Sequence, residues 1–183
     1  MLIDVPEGKD PITYVWGEMV PHIGPAAGRF SAAVYAHSSL SLREFEAARL
    51  RIAQSNGCIF CQDWRTEREG VRVEEGFDEE VRAWRTSSVL DDRERLAAEY
   101  AERYAEDHHG IEPGSDDAFW ERMLAHYTQA EVVELTMCLG SWLAFGRLNR
   151  VLGLDVACVL PSGLEDFEHQ GQDISVVEVR SGD

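Results

Sequence analysis

The sequence predicts an all-α fold: a bundle of about six to eight helices, with an extended N-terminal arm and a C-terminal tail. Three observations carry this. Apolar residues recur at helical spacing along most of the 183 residues, whereas alternation with period two is scarce. Ser41 with Glu44, and Thr128 with Glu131, form capping boxes, in which side chains satisfy the unpaired N–H groups of a first helical turn. The best strand candidate, "ISVVEV" near the C terminus, has no sheet to join.

Taken in order, residues 1–25 form the arm, loosened by Pro6, Pro11, Pro21 and Gly24 and holding one short helical piece. The helical domain spans 26–159 and the tail 160–183. Pro25 suits the first turn of a helix through "AAGRFSAAVYAHS". The Ser41 helix presents Phe45, Ala48, Ile52 and Ala53 on one face. It stops at Asn56-Gly57, two residues that tolerate the left-handed exit conformation. A further helix is expected from Cys58, fading near Gly70, and a short one over "DEEVRAWR". "DDRERLAAEYAERYAEDHH" places acids at its start and histidines at its end, matching the helix dipole. "DDAFWERMLAHY" follows. The last long helix, with "VVELTMCLGSWLAFGRLNRVLG", is apolar enough on one side to be central to the core.

A net charge of -17 opposes nucleic acid and anionic membrane surfaces as partners. No apolar run approaches the roughly 20 residues that span a bilayer. The first residues lack a basic region followed by an apolar core, so no secretory signal is expected and the cytoplasm is the expected compartment. In that compartment the pair Cys58-x-x-Cys61 is more often redox-active or metal-binding than a structural staple.

Two cysteines at i, i+3 on a helix start can close a disulfide with little backbone movement, and the unpaired N–H groups there favour a thiolate. A thiolate attacks a peroxide or disulfide, and a neighbouring thiol then resolves the product. The alternatives are two buried small residues, or half of a zinc site completed by Cys138 or His126. No second C-x-x-C, phosphate loop or nucleophile elbow is present, and no cofactor or metal is expected.

"EAARLRIAQSNGCIFC" and "EVVELTMCLGSWLAFGRLNRVLGL" resemble the carboxymuconolactone decarboxylase-like superfamily, and within it the alkyl hydroperoxidase D (AhpD-like) branch, over residues 26–153. The resemblance implies an all-helical homo-oligomer, a trimer or hexamer, with peroxidase chemistry at Cys61 and Cys58 as resolving thiol. The hydroperoxide or small-molecule substrate would be reduced at the expense of a dithiol partner of lipoyl or thioredoxin type. Glu46 corresponds to the family's proton-handling glutamate, twelve residues before the first cysteine. Packed between helices, its pKa would rise; alternatively it pairs with Arg49 on an exposed face.

Where the hydroperoxidases carry a relay histidine, four residues after the second cysteine, this chain has Arg65. A guanidinium cannot accept the thiol proton. On the same helix face as Cys61, its charge would instead lower a thiol pKa from about 8.5 into the neutral range. The competing expectation pairs Arg65 with Asp63, Glu67 or Glu69 and leaves a decarboxylase-type enzyme or a non-catalytic oligomer. Trp64 would wall the site, or serve as core or subunit interface. His37 is a candidate replacement for the histidine, or a helix cap; Cys138 is a buried inert thiol; and Glu134 is an intersubunit partner for Arg147 or Arg150, or simply exposed.

Overall fold

The structure, a computed structural model, describes residues 2–154. The tail with "ISVVEV", and Cys158 just before it, lie outside the described residues. All the regular structure described is helical: α1 (Pro11–Thr13) running into a π-helical turn (Tyr14–Met19), α2 (Gly24–His37), α3 (Leu42–Asn56), α4 (Ile59–Asp63), α5 (Phe77–Arg82), α6 (Asp92–Glu106), a 3-10 turn (His108–Ile111), α7 (Asp117–His126) and α8 (Gln129–Leu152). The protein is all-α.

The centre is α3, not α8. Phe45, Ala47, Ala48 and Leu50 have no exposure, and α3 packs most extensively against α6, then α8. Small residues on the facing side of α6 (Ala97, Ala98 and Ala101, all fully buried) suit close helix approach. α8 buries Leu135, Cys138, Leu139 and Trp142 but leaves Val133, Met137, Leu148 and Val151 exposed. Its apolar residues extend around more of the helix than the bundle covers.

Three core helices share one way of starting. Ser41, Asp91 and Thr128 each cap their helix, and Glu44, Glu94 and Glu131 close the capping boxes. The Asp91–Glu94 box uses an aspartate where the other two use a hydroxyl residue. In each box one carboxylate oxygen takes the cap N–H and the other takes an arginine. Arg93 joins Glu44 to Glu131 and donates to the His126 carbonyl, while Arg43 joins Glu94 to Glu74. Helix starts that would repel one another as anions are thus tied together by cations.

The expected helix from Cys58 to Gly70 stops at Asp63, and Trp64 is already extended (φ -75°, ψ 146°). Tertiary bonds claim the backbone beyond it, and Arg68 and Val71 close a small turn with Glu69 at φ 53°. The arm docks Ile12, Val15 and Trp16 against Leu154. Gly24 is required there, because a Cβ would fall 1.6 Å from the Trp16 carbonyl oxygen. Within the chain, Glu134 accepts bonds from Ser38, Ser39 and the Leu40 amide, and Arg147 donates to Asn56.

Arg93→Met should reduce stability in urea by about 2–3 kcal/mol, the range for hydrogen bonds to charged groups discounted for partial exposure. A second expectation concerns Glu102. Burial tends to raise its pKa, but hydrogen bonds from Arg85, Trp84 and Arg51 prevail and hold it at about 2, below its ordinary 4.5. The folded state therefore holds its proton less tightly than the unfolded state. Its contribution is complete above pH 4.5 and disappears as pH falls through about 2. Glu102→Gln should lower stability at pH 7 and flatten the pH dependence in that window, read by urea unfolding at each pH.

Candidate functional site

The thiol turn begins where α3 ends. Gly57 takes the left-handed conformation (φ 64°), and the Cys58 amide folds back to the Ala53 carbonyl at 3.1 Å. Cys58 caps α4, accepting the Cys61 amide on its sulfur at 3.3 Å, and the two sulfurs form a disulfide. Cys58 is 1% exposed. Cys61 is half-buried and opens into a cavity of about 710 Å3 between the arm, α2, α3 and α8.

Beneath the turn lies a buried ion pair. Glu46 is fully buried and accepts Arg49 Nε (2.6 Å) and Thr66 Oγ1 (2.5 Å) on one oxygen and Arg49 Nη2 (2.9 Å) on the other. Arg49, 3% exposed, donates Nη1 to the Cys61 carbonyl and Nη2 to the Trp64 carbonyl, each at 2.7 Å. Its guanidinium also sits over the Trp64 ring, 5.1 Å from the centroid. Burial alone would lower the Arg49 pKa, but the Glu46 carboxylate outweighs it and the pKa is raised. Arg49 is therefore a fixed cation.

The Glu46–Arg49 pair that the spacing allowed is present, yet fully enclosed instead of exposed. Glu46 bonds no thiol; its bonds reach the turn through Arg49 and Thr66. Arg65 also departs from expectation. Because α4 ends at Asp63, Arg65 leaves the helix face shared with Cys61. It pairs with Asp78 of α5 at 2.6 Å and donates to the Gln62 and Trp64 carbonyls, meeting none of the three acidic partners expected. It still borders the cavity onto which Cys61 opens. His37 lies in the last turn of α2 and is not among the cavity's lining residues. Cys138 is buried as a free thiol, and burial first, then the Glu134 charge, push its pKa up to about 12. No group of three or more His, Cys, Asp or Glu residues among the described residues could hold a metal ion.

Arg49 and Thr66 were missed as site residues. Arg49 was visible as the i+3 neighbour of Glu46, but spacing cannot say which face of a helix is sealed. Thr66 carries no local signal, since it meets Glu46 across 20 residues.

Residues 21–103, which contain α2, α3 and the thiol turn, match the Carboxymuconolactone decarboxylase family. That match covers somewhat less than half of the chain, and it is a similarity to this family over the part that carries the thiol turn. The uncharacterized protein YnjA of Escherichia coli (strain K12) is 34% identical over 107 residues, 57% of this chain and 56% of that protein. The match thus spans about half the length of that relative. A crystal structure of a protein of unknown function from Agrobacterium tumefaciens, described as a candidate AhpD for antioxidant defence, superposes with a TM-score of 0.62. It is 23% identical, over 75% of this chain and 92% of that one, and establishes the shared fold. No described helix is long and apolar enough to cross a membrane.

The buried pair yields a test. Arg49→Met strands the Glu46 carboxylate and should destabilise the protein by about 3–5 kcal/mol in urea unfolding. Glu46→Leu combined with Arg49→Met removes both charges and should recover most of that loss.

Proposed function

We propose that the protein is a cofactor-free thiol peroxidase or disulfide oxidoreductase, with Cys61 attacking and Cys58 resolving. The observation that carries this reading is the unequal access of the two sulfurs: Cys61 borders the cavity, whereas Cys58 is sealed and hydrogen-bonded. In the reduced protein, the Cys61 thiolate attacks the terminal oxygen of a hydroperoxide ROOH. The O–O bond breaks, the alkoxide takes a proton and leaves as ROH, and Cys61 becomes a sulfenic acid. The Cys58 thiolate then displaces hydroxide, which leaves as water once protonated, and the disulfide forms. A dithiol of lipoyl or thioredoxin type attacks Cys61 and expels Cys58, and its second thiol then displaces Cys61, so that the partner closes its own disulfide and both protein thiols are restored. The Cys61 amide stabilises the departing Cys58 thiolate, and a better-stabilised thiolate leaves faster.

Arg49, its charge balanced by Glu46, holds the turn by the Cys61 and Trp64 carbonyls and so fixes where the Cys61 sulfur and its neighbouring amides sit. Glu46 keeps Arg49 in place and acts on the sulfur through it. Among the described residues no histidine lines the cavity, which favours a second reading, in which a disulfide and not a peroxide is the natural oxidant. No separate proton relay is then needed for an oxygen leaving group. The expected setting is a cytoplasmic homo-oligomer supplied by a dithiol reductant.

Purified protein supplied with dihydrolipoamide should consume hydroperoxide, and Cys61→Ser should abolish turnover. Consumption of disulfides but not of hydroperoxides would select the second reading, and unchanged turnover in Cys61→Ser would eliminate both. Measured by alkylation rate against pH, the inflection of the reduced Cys61 thiol should move upward in Arg49→Lys, which loses the forked contacts. It should stay in place in Arg65→Ala, whose charge is already taken by Asp78.

A further inference from the structure

Arg49 holds the thiol turn from the Cys61 side, and a different group holds it from the Cys58 side. Asn56, the last residue of α3, is 9% exposed and sends its side chain across to α8. Its Nδ2 donates to the Trp142 carbonyl at 3.1 Å, and its Oδ1 accepts from Arg147 Nε at 3.0 Å. The partners fix the orientation of the amide, since a guanidinium only donates and a carbonyl only accepts. Gly146, one turn beyond Trp142, leaves the room: a Cβ there would fall 2.5 Å from Asn56 Nδ2. Arg147 in turn donates Nη2 to the Ala105 carbonyl in the last turn of α6.

Only Gly57 separates Asn56 from the resolving cysteine, and it has little freedom. Its amide goes to the Gln54 carbonyl, and the next amide, that of Cys58, goes to Ala53. Where the end of α3 is held, the Cys58 sulfur is therefore held with it. Cys61 is secured separately, by the bond from Arg49 to its own carbonyl. The two sulfurs thus have independent supports, α8 for one and the buried ion pair for the other. Reacting groups held in this way meet at a high effective concentration, in place of searching for one another.

We propose that Asn56 is a positioning residue for the resolving thiol: through Trp142 and Arg147 it keeps Cys58 within reach of Cys61 when the protein is reduced. Its part in turnover rests on the thiol reading above, whereas its part in closing the disulfide does not. In the resolving step the Cys58 thiolate forms the S–S bond as the S–O bond of the Cys61 sulfenic acid breaks. The hydroxide released takes a proton and leaves as water. Freeing Cys58 makes that attack rarer. It also gives the open dithiol conformational freedom that the closed disulfide lacks, which draws the equilibrium toward the dithiol.

The test is an equilibrium with dithiothreitol, which opens the protein disulfide to two thiols as it closes its own ring, and which needs no turnover. Alkylation reads the share of open protein. Asn56→Ala removes both bonds and should shift the equilibrium about 3–10-fold toward the dithiol. Gly146→Ala should shift it the same way, because its Cβ displaces the Asn56 amide while alanine favours the helix it joins. Met123→Ala, a truncation of a fully buried side chain in α7, should lower stability in urea and leave the equilibrium in place. An equilibrium unmoved in Asn56→Ala, or in Gly146→Ala should the first not fold, overturns the proposal, as does an equal shift in Met123→Ala. With hydroperoxide as oxidant, Asn56→Ala should accumulate Cys61 sulfenic acid that dimedone traps; no excess over the unsubstituted protein overturns its part in the resolving step. A shifted equilibrium in protein that turns over neither hydroperoxide nor disulfide defeats the thiol chemistry and leaves the support of Cys58 standing.

Discussion

One sealed ion pair governs the thiol end of this molecule. Glu46 and Arg49 lie within one turn of α3, so their own helix presents them together, and burial removes the water that would weaken their attraction. Left unpaired, either charge would be costly in that interior; paired, they leave Arg49 with donors to spare. Those donors go to the Cys61 and Trp64 carbonyls, which α4 and the extended segment after it cannot satisfy internally. The ion pair is therefore both an electrostatic necessity and the anchor of the thiol turn.

At the other end of α3 the same chemistry serves architecture. A chain with twice as many acids as basic residues must place carboxylates somewhere, and three of them close capping boxes. Arginines then bridge those boxes, so the helix starts are fixed relative to one another. Arginine suits this work because its fork meets two acceptors at once, which the single ammonium of lysine does not match. The one lysine among the seventeen basic residues lies in the arm, paired with Glu18.

The helices were legible in the sequence wherever local rules dominate. Ser41 with Glu44, Thr128 with Glu131 and the Asn56-Gly57 exit each announce a boundary through their own backbone bonding. The end of α4 was not legible, because Trp64 and Thr66 are drawn out of helical geometry by Arg49 and Glu46, partners that periodicity cannot see. The same blindness assigned the thiolate charge to Arg65, on a helix face that does not extend so far, and overlooked Arg49. The position of α8 was misjudged because an apolar helix reads the same whether the bundle encloses it or leaves part of it uncovered.

A five-residue helix such as α4 is too short to persist alone. Its shape is borrowed from the guanidinium below and the glycine exit before it. The segment from Asn56 to Cys61 is accordingly not a portable cassette. Grafted into a foreign scaffold that offered no enclosed cation under the second cysteine, the same six letters would spell a loose loop with two ordinary thiols.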